Sequence, residues 1–427
     1  MVPHSSSWLY LYPVVYTLLL SDGVFLYNTT SGQEAYVSSS YSGFRILKEL
    51  INPINMGVVF VDSKTIECAE VRAVLTQLRE YDMIGFSKWQ EDCSQKPVIF
   101  PPILSLQKDI EKAQEADCVD FVLDGILDYL SQISIILDLD DDNTQTYSAI
   151  LSYISREWRY ADRLGNPMSI DLLDKILEEV SSAALCSVEL ISSDCLFNYP
   201  QRHLVLEKLN ALGKAVTLTA PVRQSLRESA LVLLLNSLPD GSTINLLLTK
   251  DLLAEFPKSV FKGKYIPERV SVTILIDDEC QIDLFQENLN SAINTRLLPI
   301  YNGHNEGFFD RNIFISKEDL MEQPISMRQI FCNQKVNVNF FGKLICYPSG
   351  ECFASPVAQS LGSLRTESVL GLIHKELIHN TSWRVTRGSE PCLECAYRYL
   401  CPPPTIYETL LGRPNLCHIT QCNQNRI

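Results

Sequence analysis

Four cysteines near the C-terminus are the residues whose type and spacing best suit chemistry. Cys392, Cys395 and Cys401 follow a C-x2-C-x5-C spacing, and Cys417 comes after a proline-rich loop. A C-x2-C turn directs two thiolates at one centre, and a returning segment can supply the others. Four thiolates in a tetrahedral arrangement hold either an iron–sulfur cluster or a structural zinc. The alternative is reduced thiols packed as small hydrophobic side chains, but clustering beside the prolines at 402–404 disfavours it.

Composition narrows the classes of protein to which the chain can belong. Its 427 residues are enough for two to four domains, and 46% hydrophobic with 20% charged residues is typical of a globular protein. A net charge of −15 argues against a nucleic-acid partner, because phosphate binding depends on clustered lysine and arginine. Fourteen irregularly spaced cysteines do not suggest a disulfide framework, so we expect a reducing, cytoplasmic setting.

The first ninety or so residues predict a hairpin followed by helices. The apolar run at 8–20 is shorter than the roughly 20 residues that span a bilayer, and Asp22-Gly23 joins it to a second apolar run at 24–27. Asp-Gly between two such runs is a hairpin signal. A further extended pair is expected from 24–27 and 34–37, before helical stripes in 44–51 and 71–78. The tyrosines of these strands are candidate anchors for an extended peptide: Tyr10, Tyr12, Tyr16 and Tyr27.

The middle of the chain alternates apolar strands with helical stripes. Strand-length runs occur at 133–137, 187–191, 215–218, 243–248 and 270–276, and a helical stripe covers 173–180. This alternation predicts a parallel sheet covered by helices, either open or a partial barrel. The proline-rich segment 95–105 is expected to be a linker or strap. Neither a phosphate-binding loop nor a serine-hydrolase elbow is present in the sequence.

The C-terminal cysteine pattern resembles the SPASM extension of radical-SAM peptide-modifying enzymes. In that family the first three cysteines and the final one hold an auxiliary [4Fe-4S] cluster, which assigns the role to Cys392, Cys395, Cys401 and Cys417. Two cysteines of the family's second cluster are replaced here by Thr405 and Ser355. The resemblance therefore implies one cluster. Three other cysteines lie nearby but do not match the spacing of the family, so whether a second cluster forms stays open: Cys332, Cys346 and Cys352.

The catalytic motif of the same family is missing. The family places C-x3-C-x2-C after the first barrel strand, but the run at 133–137 leads into Asp138 and further acidic residues, with no cysteine between Cys118 and Cys186. The Gly-Gly-Glu-Pro turn that binds S-adenosylmethionine after the second strand is replaced by residues 192–195, Ser-Ser-Asp-Cys. The chain thus resembles pseudo-radical-SAM SPASM proteins associated with double-glycine-leader peptide precursors. The likeness extends over WLYLYPVVY, FLYNTTSG and LLPIYNGHNEGFF as well as the terminal motif, and so spans most of the chain.

This resemblance implies an α/β protein of three domains. Residues 1–92, a hairpin plus helices, are similar in layout to a winged-helix-like module that recognises a leader peptide, with an N-terminal capping subdomain as the alternative. The other two domains would be a catalytically degenerate radical-SAM-like partial (βα) barrel at 100–325 and a SPASM-like Cys-rich domain at 326–427. The implied function is that of a non-catalytic accessory protein in maturation of a ribosomally made peptide. Its partners would be the precursor peptide, a true radical-SAM maturase, or both, with one [4Fe-4S] cluster and no S-adenosylmethionine. The alternatives are an electron-transfer or modifying enzyme that uses the cluster, and a scaffold with structural zinc.

Overall fold

Two small antiparallel sheets and three α-helices fold the N-terminal part of the chain. The computed structural model describes residues 2–88, 95–104, 123–138, 144–156, 166–183, 186–222, 228–249, 269–282 and 294–419. The first of these ranges contains β1 (Ser7–Leu11), β2 (Val15–Leu19), β3 (Gly23–Asn28), β4 (Glu34–Ser38), α1 (Phe44–Leu50), a 3-10 turn (Pro53–Asn55), β5 (Val58–Val61), α2 (Ser63–Glu67), α3 (Ala69–Glu80) and β6 (Ile84–Lys88). The strand orders are β5-β1-β6 and β2-β3-β4. The Asp-Gly hairpin and the pairing of β3 with β4 agree with the sequence pattern.

Helix α3 is amphipathic, as its spacing predicts. Val71, Val74, Leu75 and Leu78 are at most 3% exposed, and they pack with residues of both small sheets in one hydrophobic core. Full burial of such a side chain stabilises the fold by about 1.5–3 kcal/mol. This stripe therefore holds the helix against the sheets.

A nine-stranded, mostly parallel sheet forms the centre of the molecule. Its elements, with the helices between them, are a 3-10 helix (Leu123–Tyr129), β7 (Gln132–Ile136), α4 (Thr144–Ser155), α5 (Ile170–Ser181), β8 (Ser187–Ile191), α6 (Arg202–Leu212), β9 (Val216–Pro221), α7 (Glu228–Ser237), β10 (Thr243–Leu248), β11 (Val270–Ile276), β12 (Asn294–Pro299), α8 (Glu306–Asn312), α9 (Lys317–Met321), α10 (Met327–Lys335), β13 (Lys343–Cys346), β14 (Glu351–Phe353), β15 (Gly362–Ser363), α11 (Val369–His379) and α12 (Ile406–Leu410). The order is β12-β11-β10-β9-β8-β7-β13-β14-β15. The predicted α/β class is confirmed, although the sequence pattern missed β12 and α4.

Strands β7 to β12 are parallel and neighbour one another in chain order. In a doubly wound sheet the strand order reverses at a switch point. The unbroken order seen here is that of a βα-barrel segment. The outer face carries Ile133 and Ile135 and packs in the largest core with residues of α5, α6 and α7. The inner face carries Ile136 and Ile191, which pack with Ile150 and Ile154 of α4.

The N-terminal module and the C-terminal segment share a core. Phe25 meets Tyr397 edge-on at a centroid distance of 5.4 Å, and the Tyr27 hydroxyl accepts a 2.8 Å hydrogen bond from Ile325 N. Tyr16 joins the same core. The Tyr27 side chain is therefore held by the chain itself and is not an open anchor for a peptide, whereas Tyr16 both packs in this core and lines a cavity described below. The sequence missed this because strand alternation does not reveal what covers each face.

Strand β13 pairs in parallel with β7, Lys343 lying opposite Gln132. The C-terminal segment therefore extends the central sheet, and the division at residue 326 stays a prediction. No helix in the described part of the chain is long and apolar enough to cross a membrane.

Candidate functional site

The four predicted cysteines lie in two returning loops of the C-terminal segment. The C-x2-C turn closes through a 3.0 Å hydrogen bond from Cys395 N to Cys392 O, and Cys401 N donates to Tyr397 O at 2.8 Å. Cys417 is brought back by a parallel bridge to Ile315, with His418 N donating to Ile315 O at 3.0 Å. Cys401 is buried, and the other three are partly buried.

Hydrogen-bond donors surround two of these sulfurs. Cys392 Sγ accepts from Arg387 Nη1 and Asn415 Nδ2, each at 3.9 Å, and Cys417 Sγ accepts from Ile419 N at 3.2 Å. Burial raises the pKa of the Cys401 thiol to about 12; Arg387 opposes this shift, whereas Cys417 and Cys392 add to it. N–H donors of this kind stabilise thiolate ligands. The donors at Cys392 and Cys417 therefore suit thiolate ligands of a metal centre.

A buried ion pair holds the cysteine loops together. Arg387 Nη2 lies 3.0 Å from Glu408 Oε1, and both side chains are 7% exposed. Arg387 Nε also donates to Pro402 O at 2.5 Å. Although burial disfavours the cation, Glu408, Cys401 and Cys392 keep the pKa of Arg387 above its ordinary value. Glu408 in turn caps α12 by accepting from the Thr405 N–H and hydroxyl.

The described residues contain no group of three His, Cys, Asp or Glu side chains placed tightly enough to hold a metal ion. The metal assignment of Cys392, Cys395, Cys401 and Cys417 therefore stays a prediction that rests on their spacing and donors. Cys346 and Cys352 face each other across β13 and β14 with sulfurs 2.9 Å apart, and both are fully buried in the main core. Cys332 lies apart from that pair on α10.

Backbone and side-chain groups of the turn after β8 are hydrogen-bonded to other polar groups of the chain. Asp138, at the end of β7, accepts from Ser193 N and Ser193 Oγ, each at 2.8 Å. Asp138 is only 9% exposed. Asp194 accepts from Asn198 N at 2.9 Å. The carboxyl ends of β7 and β8 are thus tied to each other.

A polar network on the inner face escaped the sequence analysis. Glu189 of β8 accepts from Ser134 Oγ (2.7 Å), Gln132 Nε2 (3.2 Å), the Tyr153 hydroxyl (2.8 Å) and Thr219 Oγ1 (2.7 Å). Burial raises the pKa of the Tyr153 hydroxyl to about 12, and the charge of Glu189 is the second-largest cause. Polar residues at alternate positions of β7, β8 and β9 are the signal in the sequence that could have revealed this network.

An apolar cavity of about 490 Å³ lies beside edge strand β2. Its walls come from β2, the loop after α1, α10 and the proline-rich segment described at 95–104. The lining residues include Val15, Tyr16, Thr17, Leu50, Met56, Ile99, Pro101, Met327 and Phe331. Ligand sites are usually apolar concavities of this size with a few polar groups. This cavity is therefore the candidate binding site.

No protein-family model matches the chain, and no curated protein does. Among solved structures it is similar to Streptococcus suis SuiB bound to precursor peptide SuiA, with 11% identity, a TM-score of 0.40, and 97% of this chain and 100% of that one covered. It is also similar to anSMEcpe with bound AdoMet, with 13% identity, a TM-score of 0.41, and 63% and 88% covered. At these TM-scores, fold and function have to be argued from the chain's own residues.

Proposed function

We propose that the chain is a non-catalytic accessory protein that binds the precursor of a ribosomally made peptide, a true radical-SAM maturase, or both. The observation that carries this proposal is the apolar cavity beside edge strand β2, because an extended peptide can add to such an edge and place side chains in the cavity. The central sheet would be a catalytically degenerate radical-SAM-like barrel. The four C-terminal cysteines would hold one [4Fe-4S] cluster, with zinc as the alternative.

Two features of the sheet support the non-catalytic part of the proposal. Ligands of barrel-like sheets bind near the carboxyl ends of the strands. Here the Ser193 N–H at the end of β8 already donates to Asp138. Helix α4 packs on the inner face, where Ala149 meets Leu275 and Leu298. Among the described residues, one N–H at these strand ends is thus already paired, and α4 covers part of the inner face.

We expect no cleavage of S-adenosylmethionine. The reduced protein, reconstituted with iron and sulfide and without a partner, should yield no more 5′-deoxyadenosine than a protein-free reaction, because the three-Cys motif after β7 is missing. Chromatography of the quenched reaction measures this product. An active radical-SAM enzyme treated with the same reagents is the control, and product above background from this chain would contradict the proposal.

The hydrogen bonds between β2 and β3 show which backbone atoms of β2 remain for an added strand. Leu20 N donates to Gly23 O at 2.9 Å, and Val14 O accepts from Thr29 N at 3.0 Å. Alternate residues of an antiparallel strand bond to the same neighbour. Thr17, three residues from each, therefore directs its N–H and C=O away from β3, on the side of the cavity that it lines.

Replacing Thr17 by proline should weaken leader binding at least tenfold while the fold is retained. Proline removes one N–H from the open edge and is tolerated on edge strands. Titrating the fluorescein-labelled leader of the cognate precursor onto the full chain, followed by anisotropy, measures the Kd. Ser38→Pro, on the opposite edge strand β4, is the control and should leave the Kd unchanged. Equal Kd values for the two variants would move recognition away from β2.

The alternative function is electron transfer through the proposed cluster. Anaerobic purification with iron, sulfide and zinc assayed together separates a cluster from structural zinc. A reversible one-electron wave on redox titration would then favour a carrier, whereas a redox-silent centre would favour a scaffold.

A further inference from the structure

Three basic side chains converge on the inner face of the central sheet. Arg296 of β12 lies opposite Thr273, and its Nη2 is 3.5 Å from the Thr273 hydroxyl. Lys343 of β13 lies opposite Gln132, whose side chain donates to Glu189. Arg156 follows α4, and its guanidinium lies 5.3 Å from the centre of the Tyr153 ring. Three separate elements thus carry positive charge to one place.

The cations repel one another and share one carboxylate. Burial lowers the pKa of Lys343, and Arg156 and Arg296 lower it further. Burial likewise lowers the pKa of Arg156. Glu189 attracts Arg156 and Lys343, but its two oxygens already accept the four hydrogen bonds described above. The three cations and the Glu189 carboxylate together therefore carry an excess of two positive charges.

Arg156 has a buried donor without a partner. Its Nη1 lacks both solvent contact and a hydrogen bond among the described residues. A buried charged donor left unpaired is costly. Arg296, in contrast, is exposed, so one cation of the cluster lies at the protein surface. A cation at the surface and a buried donor without a partner among the described residues are features of a ligand site.

We propose that Arg156, Arg296 and Lys343 form a binding site for a phosphate-type dianion, either free phosphate or the phosphate of a small monoester. A phosphate monoester carries about −1.5 to −2 charges near pH 7, which matches the excess of two. A bound ligand with a single carboxylate would carry only one negative charge and would leave one positive charge of the cluster uncompensated. A planar guanidinium group can also donate two parallel hydrogen bonds to two oxygens of a tetrahedral phosphate. This site lies on β12, β13 and α4, away from the cavity beside β2, and goes beyond the proposed peptide binding.

The direct test is calorimetric titration of the full chain with inorganic phosphate at constant ionic strength set with sodium chloride. We expect saturable binding, and at least a tenfold higher Kd for Arg296→Gln. Because Arg296 is exposed, this variant should fold normally. Lys343→Gln should have the same effect. Arg45→Gln, an exposed arginine of α1, is the matched control and should bind as the unmodified protein does.

Further titrations identify the source of the anion. Phenyl phosphate binding more tightly than inorganic phosphate would indicate a monoester, and the reverse order would indicate free phosphate; either result supports the site. Acetate binding as tightly as phosphate would overturn the proposal. Absence of saturable binding, or equal Kd values for Arg296→Gln and Arg45→Gln, would overturn it as well.

Discussion

Replacing Arg387 by methionine should destabilise the folded chain by about 3–5 kcal/mol, the usual cost of removing one partner of a buried ion pair. Arg387 and Glu408 are both 7% exposed and 3.0 Å apart, so the change leaves a carboxylate without its cation in the interior. It also removes the donors to Pro402 O and to Cys392 Sγ. The loops that carry the four cysteines should therefore loosen first.

Urea unfolding followed by circular dichroism measures the free energy of unfolding of this variant. The control is Arg311→Met, since Arg311 and Glu279 are 2.8 Å apart but 63% and 45% exposed, and such surface pairs contribute little. Adding Glu408→Gln to Arg387→Met should restore part of the loss, because no unpaired charge then remains buried. A loss for Arg387→Met no larger than that for Arg311→Met would contradict the assigned role.

The second large effect is expected for Cys395→Ala, which removes one proposed ligand of the C-terminal centre. A metal that binds only the folded chain contributes its binding energy to folding, and structural zinc contributes about 10–16 kcal/mol in small peptides. We therefore expect metal content to fall and the C-terminal segment to melt at lower temperature. Iron, sulfide and zinc analysis with calorimetric melting measures both consequences.

Cys332→Ala is the matched control for this prediction. Cys332 is partly buried like Cys395, but it lies on α10 outside the proposed ligand set. Its loss should leave metal content unchanged. If Cys395→Ala also leaves metal content and melting unchanged, the four cysteines are not the ligands and the alternative of reduced, packed thiols is correct.

Local patterns in the sequence determined much of the framework. The stripe in α3, the Asp-Gly hairpin and the strands at 187–191, 243–248 and 270–276 agree with the structure. These features follow from backbone preferences and periodic burial within a few residues. The cysteine spacing is of the same local kind, so the sequence alone identifies the candidate ligands.

Only the tertiary structure decided what covers each surface. Helix α4 lies on the inner face of the sheet, Tyr16 and Tyr27 pack against the C-terminal segment, and β13 joins β7 across more than two hundred residues. The same long-range pairing brings Lys343 beside Gln132 and Glu189, next to Arg156 and Arg296. Periodicity states that a residue is buried but not against which partner, since contacts between distant elements depend on how the whole chain packs.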